Sequence, residues 1–512
     1  MSKPYLLGID LGTTTCRCAI FDLDGREVAA AYQETPVQYP RPRWAEVAPE
    51  VWWQGATRVM REALRAGAIG AEQIVGIGIS GLMHAPVLLD GEGTPVVPAP
   101  LWMDQRCAPQ CETLRREAVA GGLRVERGFS TTQTAPKLRW LAEQRPEVLA
   151  QAHQLLLPKD FIRFRLTGVG GTDAADAGGT GMFDRESGEW AWDIVHLTGA
   201  PREIIPAIRP AWALAGGVTP QAAAETGLAP GTPVAVGSAD TFCTRLGAGG
   251  LAPGEVCIYL GTAAWIAVAA GAAPDGRQIV RGFGATSTTG AALRWARDLL
   301  ASSVTPGMGE VSASYEALTR EAGEVPAGAE GLLFLPHLAG ERGPQADPLA
   351  RGALVGLTLR HGRGHVVRAV LEGTVFQIRR LLEARAGGAA GRGTTGESSA
   401  AQGGAAQGGA MPTAGLVCGG AARSALWMQV LADVTTLPLR APAVVEAGTL
   451  GASILGGVAA GLFSLEAAQA RMVRPARTFV PDAPAAAQYE QLYARYCRLD
   501  DLLAPWFREE AG

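Results

Sequence analysis

Asp10 sits near the end of an apolar run, Leu6-Leu7-Gly8-Ile9-Asp10-Leu11, and Gly12 with the hydroxyls of Thr13, Thr14 and Thr15 follows at once. A carboxylate at a strand end suits the Mg²⁺ that travels with a nucleotide. A glycine turn edged by hydroxyls lets backbone N–H and O–H donors approach a polyphosphate. This is not a Walker site, because no G-x-x-x-x-G-K-[S/T] occurs and the only lysines are Lys3, Lys137 and Lys159. The plan recurs at Gly254-Glu255-Val256-Cys257-Ile258-Tyr259-Leu260-Gly261-Thr262, again an apolar strand running into a Leu-Gly-Thr turn. A third segment, Gly415-Leu416-Val417-Cys418-Gly419-Gly420, runs a short strand into two glycines ahead of Ser424, where a flat base could approach the backbone. An edge hairpin explains glycines. It does not explain Asp10 beside three threonines, or the repetition.

Those residues need elements to hold them. Two strand–turn–strand units half a chain apart predict two similar α/β halves closing on one nucleotide. Ile74-Val75-Gly76-Ile77-Gly78-Ile79 predicts a strand with Val75, Ile77 and Ile79 on one side and glycines on the other. The helical period predicts a helix over 49–65 with Trp52, Ala56, Val59, Met60 and Ala63 inward, and further helices over 136–143 and 158–166. Asp240 follows the apolar strand Thr232-Pro233-Val234-Ala235-Val236-Gly237, at its C-terminal end. An Asp there can cap the next helix, a role Thr241 could also fill. Gly249-Gly250 marks a boundary between domains 1–249 and 250–512. In the second, the spacing predicts a helix over 366–383 with Val366, Val370, Val375, Ile378 and Leu382 buried and Arg368, Arg379 and Arg380 off that stripe. A small-residue helix over 447–460 is expected at the interdomain hinge, and a closing helix over 485–507. Residues 387–412, almost all Gly, Ala, Ser, Thr and Gln, cannot bury enough apolar surface to offset ordering and are expected to be a disordered insertion.

At 512 residues the chain has room for two or three domains. Hydrophobic residues make up 47% and charged residues 18%, and a formal charge of −4 gives no footprint for nucleic acid or a membrane surface. No apolar stretch reaches the ~18 residues of a span, and no basic run followed by an apolar segment opens the chain. Eight cysteines without a CxxC pair make no disulfide framework, and Cys16 and Cys18 read as buried thiols on one strand face. A cytoplasmic location without nucleic-acid or membrane partners follows. His361 and His365 stand at helical spacing, but Gly362 and Gly364 argue against a helix there, so no metal pair is expected.

Further blocks sharpen the picture. They are Gly81-Leu82-Met83-His84, Leu101-Trp102-Met103-Asp104-Gln105-Arg106-Cys107, Leu157-Pro158-Lys159-Asp160-Phe161-Ile162-Arg163, and Thr172-Asp173 with Asp176. Gly237-Ser238-Ala239-Asp240, Gly340-Glu341-Arg342 with Pro344, and Gly419-Gly420 complete the set. In this order, from the first strand to about residue 465, the chain resembles the FGGY carbohydrate kinases, most of all the xylulokinases and next the gluconokinases. The resemblance implies two actin-like, ribonuclease H-like ATPase domains of α/β class around a central cleft. It implies ATP-dependent phosphorylation of a sugar hydroxyl, D-xylulose to D-xylulose 5-phosphate. Asp240 matches the family's general base, a role worth about 10²–10⁴-fold. Asp10 matches the carboxylate near Mg²⁺, acting through ordered water. Gly12, Thr13 and Thr14, with Gly261 and Thr262, would cradle the ATP phosphates, while Gly419, Gly420 and Ser424 would border the nucleoside. Met83 and His84 match the sugar-binding positions. Trp102, Asp104 and Arg106 lie in the block forming the sugar side, where an aromatic face flanked by carboxylate and guanidinium suits a polyol. It also suits a buried ion pair under a tryptophan. Family habit implies a homodimer.

Departures cluster on the sugar side, where Leu82, Ala85 and Met103 replace the Gln, Gly and Asn usual in xylulokinases. Thr241-Phe242 and Gly343-Pro344-Gln345 also differ from the family pattern. Each change alters a polar group or pocket volume, and hence discrimination between polyols. Two alternatives follow. One is a kinase for gluconate or another polyol or ketose, with Arg106 the cation nominated for an acid. The other is a nucleotide-gated sugar-binding protein that transfers nothing, against which Asp240 argues.

Overall fold

The computed structural model describes all residues except 1–2, 124–127, 250–253, 273–277, 302–313, 342, 344–346, 348, 387–410, 445 and 510–512. The expected insertion, save its last two residues, and Arg342, Pro344 and Gln345 therefore lie outside the described residues. The chain divides into two compact units, the first holding residues up to about 250 together with Glu446–Arg474.

The first unit is built on a mixed sheet. Its spatial order is Leu214–Gly217, Pro233–Ala235, Ile74–Gly81, Tyr5–Leu11, Thr15–Asp22 and Glu27–Glu34, with Ser238–Ala239 also pairing to Ile74–Gly81. Tyr5–Leu11 lies antiparallel to Thr15–Asp22 and parallel to Ile74–Gly81, which sets Asp10 opposite Ser80. Ser238 in turn stands opposite Ser80. Helix Pro49–Ala66 covers one face with Trp52, Ala56, Val59, Met60 and Ala63 buried. The glycines of the strand Ile74–Gly81 face the other way, where helix Ala447–Ala459 lies against them. A Cβ on Gly78 would stand 1.7 Å from the Ala452 carbonyl, and one on Gly8 2.0 Å from that of Thr449. The same helix meets Asp240–Ala248 so closely that a Cβ on Gly451 would stand 1.9 Å from the Cys243 carbonyl. Small residues were expected there for close packing, but not this placement. The division at 249/250 assigns 446–474 to the second domain, whereas the segment packs into the first unit because its glycines and alanines fit that unit's glycine-faced sheet.

The second unit repeats the scheme with Gln278–Ala285, Ala264–Ala272, Glu255–Leu260, Ala414–Cys418, Leu439–Pro442 and Pro475–Phe479 in order. Its long helix, Arg363–Arg385, is buried on nearly all sides. Two arginines expected off its buried stripe are inside. Arg368 pairs with Glu372 at 2.6 Å and reaches the Tyr489 hydroxyl, and Arg380 pairs with Asp500. Helix Ala483–Glu509 covers that face, so a period read against one partner missed the second. His361 stands before this helix and His365 in its first turn, and no metal-holding group of His, Cys, Asp or Glu occurs among the described residues. All eight cysteines are free, Cys16 and Cys18 buried. No helix among the described residues is long and apolar enough to cross a membrane.

Candidate active site

In the first unit the strand ends Asp10, Ser80 and Ser238 stand side by side, and helix Asp240–Ala248 starts immediately beyond. Ala239 is the residue before the helix, so neither Asp240 nor Thr241 is its cap. Asp240 stands in the first turn, half-buried, with Oδ1 accepting the Thr241 N–H at 2.6 Å. Loss of water, reinforced by the charge of Asp10, pushes its carboxyl up to about 7. That is the range a general base needs at neutral pH.

Asp10 is raised too, by burial first and by the charge of Glu446, while the Ser80 hydroxyl donates to Oδ1 at 2.6 Å and opposes the shift. A Cβ on Gly448 would lie 2.6 Å from Asp10 Oδ2, so glycine there gives the carboxylate room. A carboxylate raised by burial and by a neighbouring negative charge fits a hard divalent cation such as Mg²⁺. Among the described residues no group of three or more His, Cys, Asp or Glu side chains stands ready to hold a metal ion.

The Gly12 N–H closes the turn onto the Thr15 carbonyl at 2.8 Å, so this N–H is spent within the turn. Thr14 is exposed, and Thr13 Oγ1 accepts the Trp102 indole N–H at 2.9 Å. Trp102 thus ties the block 101–107 to the first hairpin.

His84 has a backbone φ of +78°, rare for a residue with a Cβ and typical of functional sites. Its Nδ1 stands 2.8 Å from the Gly179 carbonyl, which can only accept, so Nδ1 carries the proton and Nε2 presents a lone pair. Burial, then the nearby Lys137 charge, lower the imidazole to about 4, so the ring is neutral at pH 7. Met83 packs against Gly179 and lies 3.9 Å from the Thr241 hydroxyl, bringing the Met-His pair to the residue after Asp240.

Asp104 and Arg106 behave differently from a sugar-binding pair. Arg106 grips Asp104 through Nε and Nη2 at 2.7–3.0 Å, reaches Glu46 at 2.5 Å and lies 3.6 Å over the Trp44 ring. Asp104 also accepts the Ala45 N–H at 2.7 Å and is fully buried. This is the buried ion pair under a tryptophan, with Trp44 the ring and not Trp102.

In the second unit, Gly261 and Gly419 end the neighbouring parallel strands Glu255–Leu260 and Ala414–Cys418. Thr262 is exposed at the turn, and its carbonyl accepts the N–H groups of Thr289 and Ala291 at the start of helix Gly290–Ala301. The Gly290 N–H likewise bonds the Gly261 carbonyl at 2.9 Å, so the helix start is spent on fixing the turn, a contact that sequence reading missed. Gly419 has φ +92°, and a Cβ there would stand 2.5 Å from the Leu260 carbonyl. A Cβ on Gly420 would meet nothing within 4 Å, so the backbone there is open. Ser424 Oγ accepts the Trp427 N–H at 3.3 Å and caps helix Ala425–Thr435, so its hydroxyl already has a structural duty.

Sequence reading also quoted Lys159, Asp160, Arg163, Asp173 and Asp176 without a role. They form one buried ion cluster around Lys159 Nζ, 2.5 Å from Asp160, 3.1 Å from Asp173 and 3.0 Å from Asp176. Lysine inside apolar blocks was the available signal.

The family model described as the FGGY family of carbohydrate kinases, N-terminal domain, matches residues 5–247, and its C-terminal counterpart matches residues 266–460. Xylulose kinase of Bacillus subtilis is 31% identical over 510 residues, covering 96% of each chain. Glycerol kinase of Thermus brockianus is 30% identical, covering 99% of each. The crystal structure of gluconate kinase from Lactobacillus acidophilus superposes with a TM-score of 0.81 at 23% identity, covering 99% of this chain and 100% of that one, a likeness of fold.

Proposed function

The chain belongs to the FGGY family of carbohydrate kinases and transfers phosphate to a carbohydrate hydroxyl, and we propose that its acceptor is D-xylulose, converted by ATP to D-xylulose 5-phosphate. The observation that carries the reading is the contact of Met83 with Thr241, which brings the segment of the neutral His84 imidazole to the residue after Asp240, a carboxyl poised near neutrality. Asp240 takes the proton of the terminal hydroxyl as that oxygen forms its bond to the γ-phosphorus and the bond to the β-phosphate oxygen breaks. A second hydroxyl of the sugar donates to His84 Nε2. Gly12, Thr13, Thr14, Gly261 and Thr262 orient the phosphates, and Gly419 and Gly420 admit the base. Mg²⁺, held on ATP and through water by Asp10, neutralises phosphate charge when bound.

A neutral sugar is favoured over gluconate because Arg106, the cation nominated for an acid, and Lys137, the cation beside His84, are both turned to other partners. Arg106 is held by Asp104 and Glu46. Lys137 is fully buried, with Nζ donating to the Thr132 carbonyl at 2.7 Å and to the His84 carbonyl at 3.4 Å. The test is coupled ADP release over D-xylulose, L-ribulose, D-gluconate, glycerol and erythritol. D-Xylulose is expected to show the highest kcat/KM, and His84→Ala to raise its KM roughly 5–150-fold, the worth of one buried hydrogen bond of about 1–3 kcal/mol. A higher kcat/KM for glycerol or gluconate overturns the xylulose reading, and no ADP release with any sugar overturns acceptor phosphorylation itself.

A further inference from the structure

We propose that Asp173 and Ser238 are positioning residues for the base, with the Lys159 cluster fixing Asp173. This rests on the reading of Asp240 above. Ser238 is fully buried, two residues before Asp240, and its hydroxyl donates to Asp173 Oδ2 at 2.6 Å. The same Asp173 oxygen accepts the Ala175 N–H at 3.0 Å, while Oδ1 lies 3.1 Å from Lys159 Nζ. One step back along the chain from Gly237, the Val236 carbonyl accepts a hydrogen bond from Arg163 Nη1 at 2.9 Å, and Arg163 also pairs with Asp160 at 2.7 Å. The segment 236–240 is therefore held at two points by one cluster, on either side of Gly237. That glycine, at φ +79°, bends the chain where a Cβ would stand 2.4 Å from the Ile79 carbonyl.

Stability does not account for this arrangement. Three carboxylates and two cations sit together in the interior, and Asp176 is driven well above the usual carboxylate range, by burial first and by Asp173 and Asp160, against the pull of Lys159. Well-packed apolar side chains of similar volume are commonly as stable as such a cluster or more so. What ions supply and apolar groups do not is direction. Asp173 is oriented by Lys159 on one side and holds the Ser238 hydroxyl on the other, so the helix start carrying Asp240 has one setting. A base displaced by about 1 Å can lose up to 10²-fold in rate.

The test is a double-mutant cycle on the full chain, with saturating Mg²⁺–ATP and the best sugar of the panel. Ser238→Ala removes one hydroxyl and leaves every charge in place. It is expected to melt within a few degrees of wild type, lower kcat about tenfold and leave the sugar KM within twofold. In an Asp240→Asn background the same change is expected to cost less than twofold, because the residue it positions has already lost its function. Asp173→Asn, run through the same cycle, is the second variant should Ser238→Ala fold poorly, and the same pattern is expected. Equal losses in both backgrounds, or an unchanged kcat on wild type, overturn the proposal. Failure of the base assignment looks different, since Asp240→Asn alone would then keep its turnover.

Discussion

In the first sheet the hairpin strand ends Asp10-Leu11-Gly12 and its parallel neighbour places Ser80 opposite Asp10. In the second sheet the corresponding strand ends Tyr259-Leu260-Gly261, with Cys418 opposite Tyr259. The backbones follow one plan, three antiparallel strands continued by two parallel ones and closed by an antiparallel edge. The side chains at the shared position part ways. Asp10 is a carboxylate steadied by a hydroxyl, whereas Tyr259 stacks on Trp265 with centroids 5.4 Å apart and packs under Gly261. One strand plan thus carries a charge at this position in one sheet and an aromatic floor under a glycine turn in the other. The charge is what costs stability, because desolvation opposes it.

The sharpest way to break this comparison is to neutralise the charged copy. Asp240→Asn is expected to lower kcat by at least ~10²-fold with the ATP Kd unchanged, since only proton acceptance is removed. Turnover within a few-fold of wild type would remove Asp240 from the reaction. In the wild type, kcat/KM should climb about tenfold per pH unit below 7 and level above it, as the carboxyl that titrates near 7 loses its proton. A profile flat from pH 5 to 8 contradicts the raised pKa.

The second copy should respond in binding and not in chemistry. Gly261→Val places a branched side chain where even a Cβ would lie 2.5 Å from the Tyr259 ring. An ATP Kd raised about tenfold or more is expected, a loss of about 1.4 kcal/mol. A folded variant with unchanged Kd would detach this turn from the nucleotide.

Much of this was legible in the residues because both hairpins, the glycine-faced strand and Asp240 are set by local sequence. What stayed hidden depends on partners far along the chain. Arg368 and Arg380 were expected off the buried stripe of their helix, yet helix Ala483–Glu509 covers them. Asp104 and Arg106 carried two meanings that only Glu46 and Trp44, some sixty residues away, could separate. The helix Ala447–Ala459 lies in the sequence of the second half, yet packs with the first, because fit between glycine faces decides its place and sequence proximity does not. His84's tautomer needed the carbonyl of Gly179.

A smaller effect concerns what the base costs the fold. Asp240 titrates near 7 when folded, above the ~3.9 of an unfolded Asp, so the native state binds the extra proton between those values. Stability from this group is therefore fully present below pH ~4 and lost as pH rises through 7. Asp240→Asn removes the penalty. Because the side chain is half-buried, water screens part of it, and a gain of about 1–2 kcal/mol at pH 8 is expected, with none at pH 4. Thermal melts at the two pH values decide it, and equal differences at both would mean the carboxylate carries no such cost.

The smallest effect sorts structure from binding within the second copy. Ser424 was expected at the nucleoside, yet its Oγ caps helix Ala425–Thr435 by accepting the Trp427 N–H. An N-cap changed to alanine typically costs about 1 kcal/mol. In a chain of this size that shifts the melting temperature by only a few degrees. Ser424→Ala is therefore expected to lower the melting temperature slightly while the ATP Kd stays within twofold. The opposite pattern, an unchanged melt with weakened ATP binding, would return the hydroxyl to the nucleotide and leave the helix start to its backbone alone. Either way the result separates two duties that neighbour each other here, since Gly419 and Gly420 offer an open backbone and the residue four positions on starts the helix behind it.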